Sequence, residues 1–235
     1  GGQTLIPTFK QRLARPSHVI DINGIAELAG ISRRGGDIVV GATTCHADVA
    51  SSSEVRTAIP ALAALASHIG DPQVRNRGTI GGSIANADPA ADYPAAVLAL
   101  DATVHTNKRS IGADDFFVGL FETALEEREI ITRVSFPVPH KAAYSKFPNP
   151  ASRYAIVGVM VAQTDAGVRV AVTGAGASAF RVTEMENALA SNFSAGAIED
   201  IAVSPNDLNE DIHASAEYRA HLVNVMARRA VAAAS

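Results

Sequence analysis

The stretch of sequence that most limits the fold runs from Asp71 to Asp92, where the periodic pattern of hydrophobic residues breaks down. Its three glycines are Gly78, Gly81 and Gly82. Alanine- and leucine-rich segments on either side, at 59–69 and 94–100, predict two helices. The fold must therefore hold a glycine-rich loop between two helices, a position where binding residues often lie.

Polar side chains accompany the glycines of this loop. Thr79 and Ser83 carry hydroxyl groups, and Asn86 carries an amide. Glycines let backbone N–H groups approach an anion, so this combination suits a phosphate or a polyol. The lysine of a nucleotide-hydrolysing phosphate loop is absent, and a purely structural loop is the alternative interpretation.

Two acidic residues close the loop, and the start of the chain repeats its chemistry. Asp92 could accept hydrogen bonds from sugar hydroxyls, whereas Asp88 before Pro89 is predicted to cap a helix. The chain opens with paired glycines, an amide and a hydroxyl over 1–6. Two such loops in one domain favour a long diphosphate ligand over a single phosphate.

Composition excludes several classes of protein. A net charge of −4 gives no electrostatic footprint for nucleic acid, so we expect no such partner. The single cysteine, Cys45, excludes an internal disulfide or a self-contained iron–sulfur cluster. The histidine spacing predicts no metal site, and no apolar run is long enough for an integral membrane segment.

The second part of the chain has a different pattern. Pro137 and Pro139 mark a boundary, since proline cannot continue a strand ladder. Two apolar strands at 154–163 and 168–173 form a predicted hairpin, and three helices follow. In the last helix we expect an apolar stripe, with Arg219 on its polar face. The stripe consists of Tyr218, Leu222, Val225 and Met226.

Three groups of residues together resemble the FAD-binding medium subunits of molybdenum hydroxylases, the xanthine dehydrogenase family, and most of all the aerobic carbon monoxide dehydrogenase type. They are the opening GGQTLI, the loop at 79–83 with Asn86 and Asp92, and the C-terminal Tyr218-Arg219-x-His221-Leu222 with Arg228-Arg229-Ala230. The resemblance runs from Gly1 to Ala234 and keeps the order of these motifs.

This resemblance implies an α+β fold with two domains. Residues 1–139 would form an FAD-binding domain of the PCMH type with two subdomains, incomplete at its N-terminus. Residues 140–235 would form a smaller C-terminal domain of antiparallel sheet plus helices.

The resemblance also implies a non-covalent FAD site. Two loops would hold the diphosphate, Asp92 the ribityl or ring region, and further residues would line the isoalloxazine ring. The first loop comprises Gly1, Gly2, Gln3, Thr4, Leu5 and Ile6; the second comprises Thr79, Ile80, Gly81, Gly82 and Ser83, with Asn86 nearby. The ring residues would be Ile131, Lys146 and Tyr154. Ser83 stands where asparagine is common, and Thr4 replaces a serine.

The implied activity is electron transfer, with no catalytic residue in this chain. A small iron–sulfur subunit would deliver electrons from a large molybdopterin subunit, and FAD would pass them to a quinone or NAD. Molybdopterin and the 2Fe-2S clusters would belong to those partners, in a dimer of heterotrimers. The complex would lie in the cytoplasm or at the inner face of the membrane.

Two other functions are compatible with the sequence. One is a stand-alone FAD oxidase or reductase, with Tyr154 or His140 as candidate acid/base groups. The other is a non-redox scaffold that docks partners and has a degenerate flavin site.

Three further motifs have weaker support. The segment Gly174–Ala179 imitates a dinucleotide fingerprint, but the preceding element is predicted as a hairpin rather than the start of a βαβ unit. Cys45 beside His46 suggests a nucleophile without an orienting group. The acids at 126–129 are predicted to lie on a solvated turn.

Overall fold

The computed structural model describes residues 1–234. The α-helices are α1 (Leu5–Lys10), α2 (His46–Ser51), α3 (Ser53–Ala58), α4 (Pro60–Ser67), α5 (Pro72–Arg75), α6 (Ile80–Asn86), α7 (Tyr93–Ala99), α8 (Ala113–Phe116), α9 (Thr183–Ser191) and α10 (Ala216–Ala233). The strands are β1 (Ile31–Arg34), β2 (Asp37–Gly41), β3 (Thr103–Thr106), β4 (Ser110–Gly112), β5 (Phe117–Gly119), β6 (Glu122–Thr123), β7 (Ile131–Pro137), β8 (Lys141–Pro148), β9 (Ala155–Thr164), β10 (Gly167–Thr173) and β11 (Phe180–Arg181). Short 3₁₀ turns lie at Ala26–Leu28 and Ala195–Ile198.

Two antiparallel sheets organise these elements. The first has the strand order β1-β2-β7-β3-β4 and the second has the order β11-β10-β9-β8. Strands β9 and β10 form the predicted hairpin. The mixture of helices with antiparallel sheets confirms the α+β class.

Helices fill the space between the sheets. Helix α6 contacts β2 and β7, while α4 and α7 contact the second sheet. Every residue of α7 is buried, as expected for a helix that is apolar on all sides. One continuous core therefore joins the first sheet, these helices and one face of the second sheet.

The second sheet is buried on both faces. Met160 and Ala162 of β9 face the first core, whereas Val157, Val159 and Val161 pack with α10 and α9 in a second core. Because side chains alternate along a strand, a run of hydrophobic residues serves both cores at once. This sheet positions the segment before α7, which matters for the cleft described below.

Two α-helices and a 3₁₀ turn follow the hairpin, rather than three helices. The apolar stripe of α10 is also shifted from the prediction. Tyr218 is 45% exposed, whereas Arg219 is 3% exposed. The Arg219 guanidinium donates to the carbonyls of Ile156 and Gly174 and pairs with Asp211 at 2.7 Å. These bonds pair the buried guanidinium through its two terminal nitrogens, while Nε has no partner within residues 1–234. The apolar pattern could not reveal these partners.

The acids at 126–129 are not all solvated. Glu129 is buried and accepts from Arg109 Nε at 3.1 Å and from Thr106 Oγ1 at 2.7 Å. The hydrogen bonds from Arg109, first of all, and from Thr106 lower the pKa of Glu129 to about 2. Glu129 therefore fastens the loop that follows β6 to the β3–β4 hairpin.

None of the helices within residues 1–234 combines the length and apolar character needed to cross a membrane.

Candidate ligand-binding cleft

A cleft of about 670 Å³ opens beside helices α1 and α6. Its walls come from four stretches that are far apart in sequence: 1–8, 69–92, 152–154 and the single residue His46. Ligand pockets commonly measure roughly 300–1,000 Å³, so the cleft has room for a substantial small molecule.

The first wall, which we call the amide wall, consists of residues Gly1 to Leu5. Gly2 has φ +88°, a left-handed conformation that favours glycine, and its carbonyl accepts from Ile6 N at 3.0 Å. Within residues 1–234, no acceptor pairs with the backbone N–H groups of Gly2, Gln3, Thr4 and Leu5. Four consecutive donors at the start of α1 thus line the cleft without a protein partner.

The second wall, which we call the side-chain wall, consists of Thr79, Ser83 and Asn86 on and before α6. The sequence predicted an aperiodic loop here, yet Gly81 and Gly82 lie in the first turn of a helix. Thr79 caps that helix, because its Oγ1 accepts from Gly82 N at 3.2 Å. The cap supplies the start signal that overrides the low helix propensity of glycine.

Unlike the amide wall, this second wall has its backbone donors occupied. Ile80 N donates to Thr44 O at 3.1 Å and Gly81 N donates to Ala42 O at 2.9 Å. In contrast, the hydroxyl of Ser83 and the amide of Asn86 make no hydrogen bond to any described residue. The second motif therefore offers side-chain groups, and not backbone N–H groups, to a ligand.

Packing explains two of the loop glycines. A Cβ on Gly81 would lie 2.6 Å from Ala42 Cβ, and one on Gly78 would lie 2.6 Å from His46 Nε2. These glycines allow close approach of protein to protein.

His46 lies at the base of the cleft and is 4% exposed. Its ring packs 5.3 Å from that of Tyr93, and neither His46 Nδ1 nor the Tyr93 hydroxyl has a hydrogen-bond partner within residues 1–234. Burial, aided by the positive charge of Arg75, lowers the pKa of His46 to about 4. The imidazole is therefore neutral at neutral pH.

The second sheet holds the third wall, residues 88–92, in place. Thr173 Oγ1 donates to the carbonyls of Pro89 and Ala91, and Gly174 N also donates to Pro89 O. The prediction that Asp88 caps a helix is wrong. Its carboxylate instead accepts from Ala90 N at 2.9 Å within a turn. Residues beyond position 139 thus shape a cleft whose two glycine-containing motifs lie before that position.

Asp92 forms a buried polar cluster with β8. Its carboxylate accepts from Tyr144 Oη at 2.5 Å and pairs with Lys146 Nζ at 2.9 Å. Lys146 also donates to His68 O at 3.2 Å. Burial raises the pKa of Asp92, opposed by Lys146 and Tyr144.

The segment 149–154 covers one end of the cleft. Asn149 is buried, and its Oδ1 accepts from the backbone N of Ala151 and Ser152. This turn presents Tyr154, a residue that is 46% exposed, to the cleft. Tyr154 therefore offers a partly exposed aromatic surface next to Asp88 and Asp92.

The structure brings most of the predicted site residues together. Those that line the cleft are Gly1, Gly2, Gln3, Thr4, Leu5, Thr79, Gly82, Ser83, Asn86, Asp92 and Tyr154. Those that do not line it are Ile6, Ile80, Gly81, Ile131 and Lys146. Ile131 is buried in the core on β7, and Lys146 lies beneath Asp92.

Sequence reasoning missed three residues at this site. His46 lines the cleft, while Tyr144 and Thr173 hold the residues that do. Tyr144 and Lys146 lie two residues apart on one strand, a spacing that places both side chains on the same face. That spacing was the one available signal.

The competing motifs have other structural roles. Gly174–Ala179 is followed by strand β11 rather than a helix, so the context of a dinucleotide fingerprint is missing. Within the described part of the chain, the side chains of Cys45 and His46 make no hydrogen bond to each other.

Comparison with known proteins gives the same picture for both halves of the chain. Residues 1–139 match the family described as FAD binding domain in molybdopterin dehydrogenase, and residues 142–234 match the CO dehydrogenase flavoprotein C-terminal domain. The carbon monoxide dehydrogenase medium chain of Hydrogenophaga pseudoflava is 36% identical over all of this chain and 87% of its own length. The nicotine 6-hydroxylase medium subunit of Paenarthrobacter nicotinovorans is 38% identical over 98% of this chain and 87% of its own length.

Solved structures agree. A carbon monoxide dehydrogenase from Hydrogenophaga pseudoflava superposes with a TM-score of 0.88, at 36% identity over 99% of this chain and 86% of the matched chain. Fold and cleft together define a flavoprotein subunit of an oxidoreductase. The chain belongs to the family of FAD-binding subunits of molybdenum hydroxylases, the group that includes carbon monoxide dehydrogenase medium chains.

Proposed function

We propose that the cleft binds FAD and that the chain passes electrons from the iron–sulfur clusters of a partner subunit to an external acceptor. The observation that carries this proposal is the row of four unpaired N–H groups along the amide wall. Backbone donors arranged in this way suit the oxygens of a diphosphate.

The residues present fit this cofactor on three counts. The amide wall supplies donors for the diphosphate, and Ser83 and Asn86 supply unpaired polar groups for the opposite side. Asp92 lies further along the cleft and could accept a bond from a ribityl hydroxyl. Tyr154 then offers its ring to the flat isoalloxazine group.

FAD, when bound, exchanges electrons singly with iron–sulfur clusters and in pairs with an acceptor such as a quinone or NAD. This chain's residues have positioning tasks: the two walls hold the diphosphate, and residues 88–92 orient the ribityl chain. The neutral imidazole of His46 closes the base of the cleft.

Related proteins support a proposal for the assembly. The medium subunits of related enzymes belong to multi-subunit complexes, and we infer a dimer of heterotrimers with small iron–sulfur and large molybdopterin subunits. A quinone acceptor would bring this cytoplasmic complex to the inner face of the membrane. We also propose functional units at 1–139 and 140–235, which the limits of the two matching families support.

The direct test is to purify the chain with its co-purifying subunits, record the visible spectrum and identify any released flavin by chromatography. Released FAD with iron–sulfur absorption and two additional chains would support electron transfer. FAD without partners would favour a stand-alone oxidase or reductase, and absence of flavin after addition of FAD would leave the docking scaffold.

A variant at the side-chain wall connects that result to the cleft. Gly82→Val introduces a branched side chain at a position where even a Cβ alone would lie 2.9 Å from Thr79 Oγ1, so we expect loss of flavin. Gly36→Val is the matched control, because Gly36 is exposed and has open space around its Cα. Equal flavin content in both variants would contradict the proposed site.

A further inference from the structure

The Asp92 cluster differs from the rest of the cleft because its polar groups come from both halves of the chain. Asp92 precedes α7, whereas Tyr144 and Lys146 lie on β8. Asp92 is 4% exposed and still lines the cleft. The orientation of its carboxylate is therefore decided by residues behind the cleft wall.

The contacts of this cluster make the two carboxylate oxygens unequal. Oδ1 accepts a hydrogen bond from Tyr144 at 2.5 Å and lies 2.9 Å from Lys146 Nζ in an ion pair. Oδ2 accepts from Lys146 at 3.0 Å, and no second donor to it is present within residues 1–234. A carboxylate oxygen can accept about two hydrogen bonds, so Oδ2 keeps capacity for a ligand donor.

Lys146 alone cannot fix this arrangement. Its ammonium group contacts both carboxylate oxygens and also donates to His68 O at 3.2 Å. An ammonium group is a compact charge without a preferred plane, so it tolerates rotation of the carboxylate. The Tyr144 hydroxyl is held by a rigid ring and donates to Oδ1 only. It therefore determines that Oδ2 is the oxygen that remains for a ligand.

The second sheet is shaped to let Tyr144 reach Asp92. Gly158 on β9 pairs with Lys146 of β8. Lys146 is the residue next to Tyr144 on the same face of β8. A Cβ on Gly158 would overlap the Tyr144 hydroxyl. The glycine therefore opens the path between β8 and the cleft wall.

We propose that Tyr144 is a positioning residue: it fixes the Asp92 carboxylate so that Oδ2 accepts a hydrogen bond from a hydroxyl of the flavin's ribityl chain. This inference rests on the proposed function. It assigns to strand β8, in the C-terminal half of the chain, an indirect part in the affinity for the cofactor.

The groups that face Asp92 are Lys146, Tyr144, His68, Tyr93 and Tyr154. Among them, Lys146, Tyr144 and His68 favour the charged carboxylate, and removal of the Tyr144 hydroxyl should raise the pKa of Asp92 further. A protonated Asp92 binds a ribityl hydroxyl less well. Flavin affinity should then fall at a higher pH in the variant than in the unmodified protein.

The test measures the Kd for FAD, by quenching of flavin fluorescence, from about pH 8 to about pH 5. Tyr144→Phe keeps the ring and removes the hydroxyl. We expect binding about three- to tenfold weaker at neutral pH, and a pH midpoint higher than that of the unmodified protein. Tyr218→Phe is the control, because Tyr218 lies on the exposed side of α10.

Gly158→Ala provides a second variant, since it keeps the hydroxyl but displaces it. The same direction of change is expected, with secondary structure checked by circular dichroism. An unchanged Kd and unchanged pH midpoint in folded Tyr144→Phe would overturn the proposal. Failure of the unmodified protein to bind FAD would instead overturn the proposed function.

Discussion

Both walls of the cleft belong to glycine-containing segments, yet they are built in opposite ways. The amide wall leaves four backbone N–H groups unpaired within residues 1–234 and buries no residue of α1. The side-chain wall uses its backbone donors inside the protein and is anchored through Gly81 to Ala42, the residue that follows β2. Glycine thus allows a left-handed backbone conformation in the amide wall and close packing of the protein beside the side-chain wall. Changes in the amide wall should alter ligand affinity, whereas changes at the packed glycines should alter folding stability.

The largest effect should follow Gly81→Ala. Its new Cβ would lie 2.6 Å from Ala42 Cβ and 2.7 Å from Ala42 O, and neither neighbour is the end of a flexible side chain. We expect a loss of about 3 kcal/mol or more in the free energy of unfolding. Urea denaturation with circular dichroism measures it, and Gly24→Ala, with open space around its Cα, is the control. An unchanged midpoint would show that Gly81 is not needed for packing.

His46 supports the side-chain wall from below and gives a pH-dependent test. Its pKa in the folded protein is about 4 against an ordinary value of 6.5. The unfolded chain therefore binds a proton more readily, and stability falls as the pH decreases from about 6.5 toward 4, by up to about 3 kcal/mol. This component should be absent in His46→Gln and present in the exposed control His18→Gln. Parallel pH profiles for unmodified protein and His46→Gln would contradict the burial of a neutral imidazole.

The amide wall should respond to Gly2→Ala in affinity rather than stability. At φ +88° an alanine is strained by about 1–2 kcal/mol, and its Cβ would lie 2.7 Å from Ile6 Cδ1. Relief of this strain turns the N–H groups away from the cleft. We expect the Kd for FAD to rise about tenfold or more, with little change in the urea midpoint. The comparison between walls fails if this variant loses stability but keeps its affinity.

The smallest effect should come from Asn86→Ala. Since the Asn86 amide has no partner in the described protein, its loss should leave folding stability unchanged. We expect the Kd to rise about three- to tenfold, the contribution of one hydrogen bond. Isothermal titration calorimetry against the exposed control Asn206→Ala measures this difference. Equal affinities would remove Asn86 from the binding surface.

Much of the fold and of the site could be predicted from sequence. The residues of both walls were identified from two distant stretches, because glycines next to hydroxyl and amide side chains indicate anion binding wherever they occur. The β9–β10 hairpin and helix α4 followed from short apolar runs with turn and cap signals.

The remainder depended on contacts between distant residues. Helix α6 was missed because Thr79 capping and the packing of Gly81 on Ala42 outweigh local propensity. Arg219 was placed on the wrong face of α10, since its partners lie in three other segments. Lys146 was assigned to the ring surface, yet it pairs with Asp92, whose position is set by the second sheet.

The most direct test of the account is a crystal structure of the chain with FAD bound. The account predicts diphosphate oxygens within roughly 3 Å of the backbone nitrogens of Gln3, Thr4 and Leu5, with the opposite side of the diphosphate against Ser83 and Asn86. FAD bound outside this cleft, or with its diphosphate turned away from the amide wall, would contradict it.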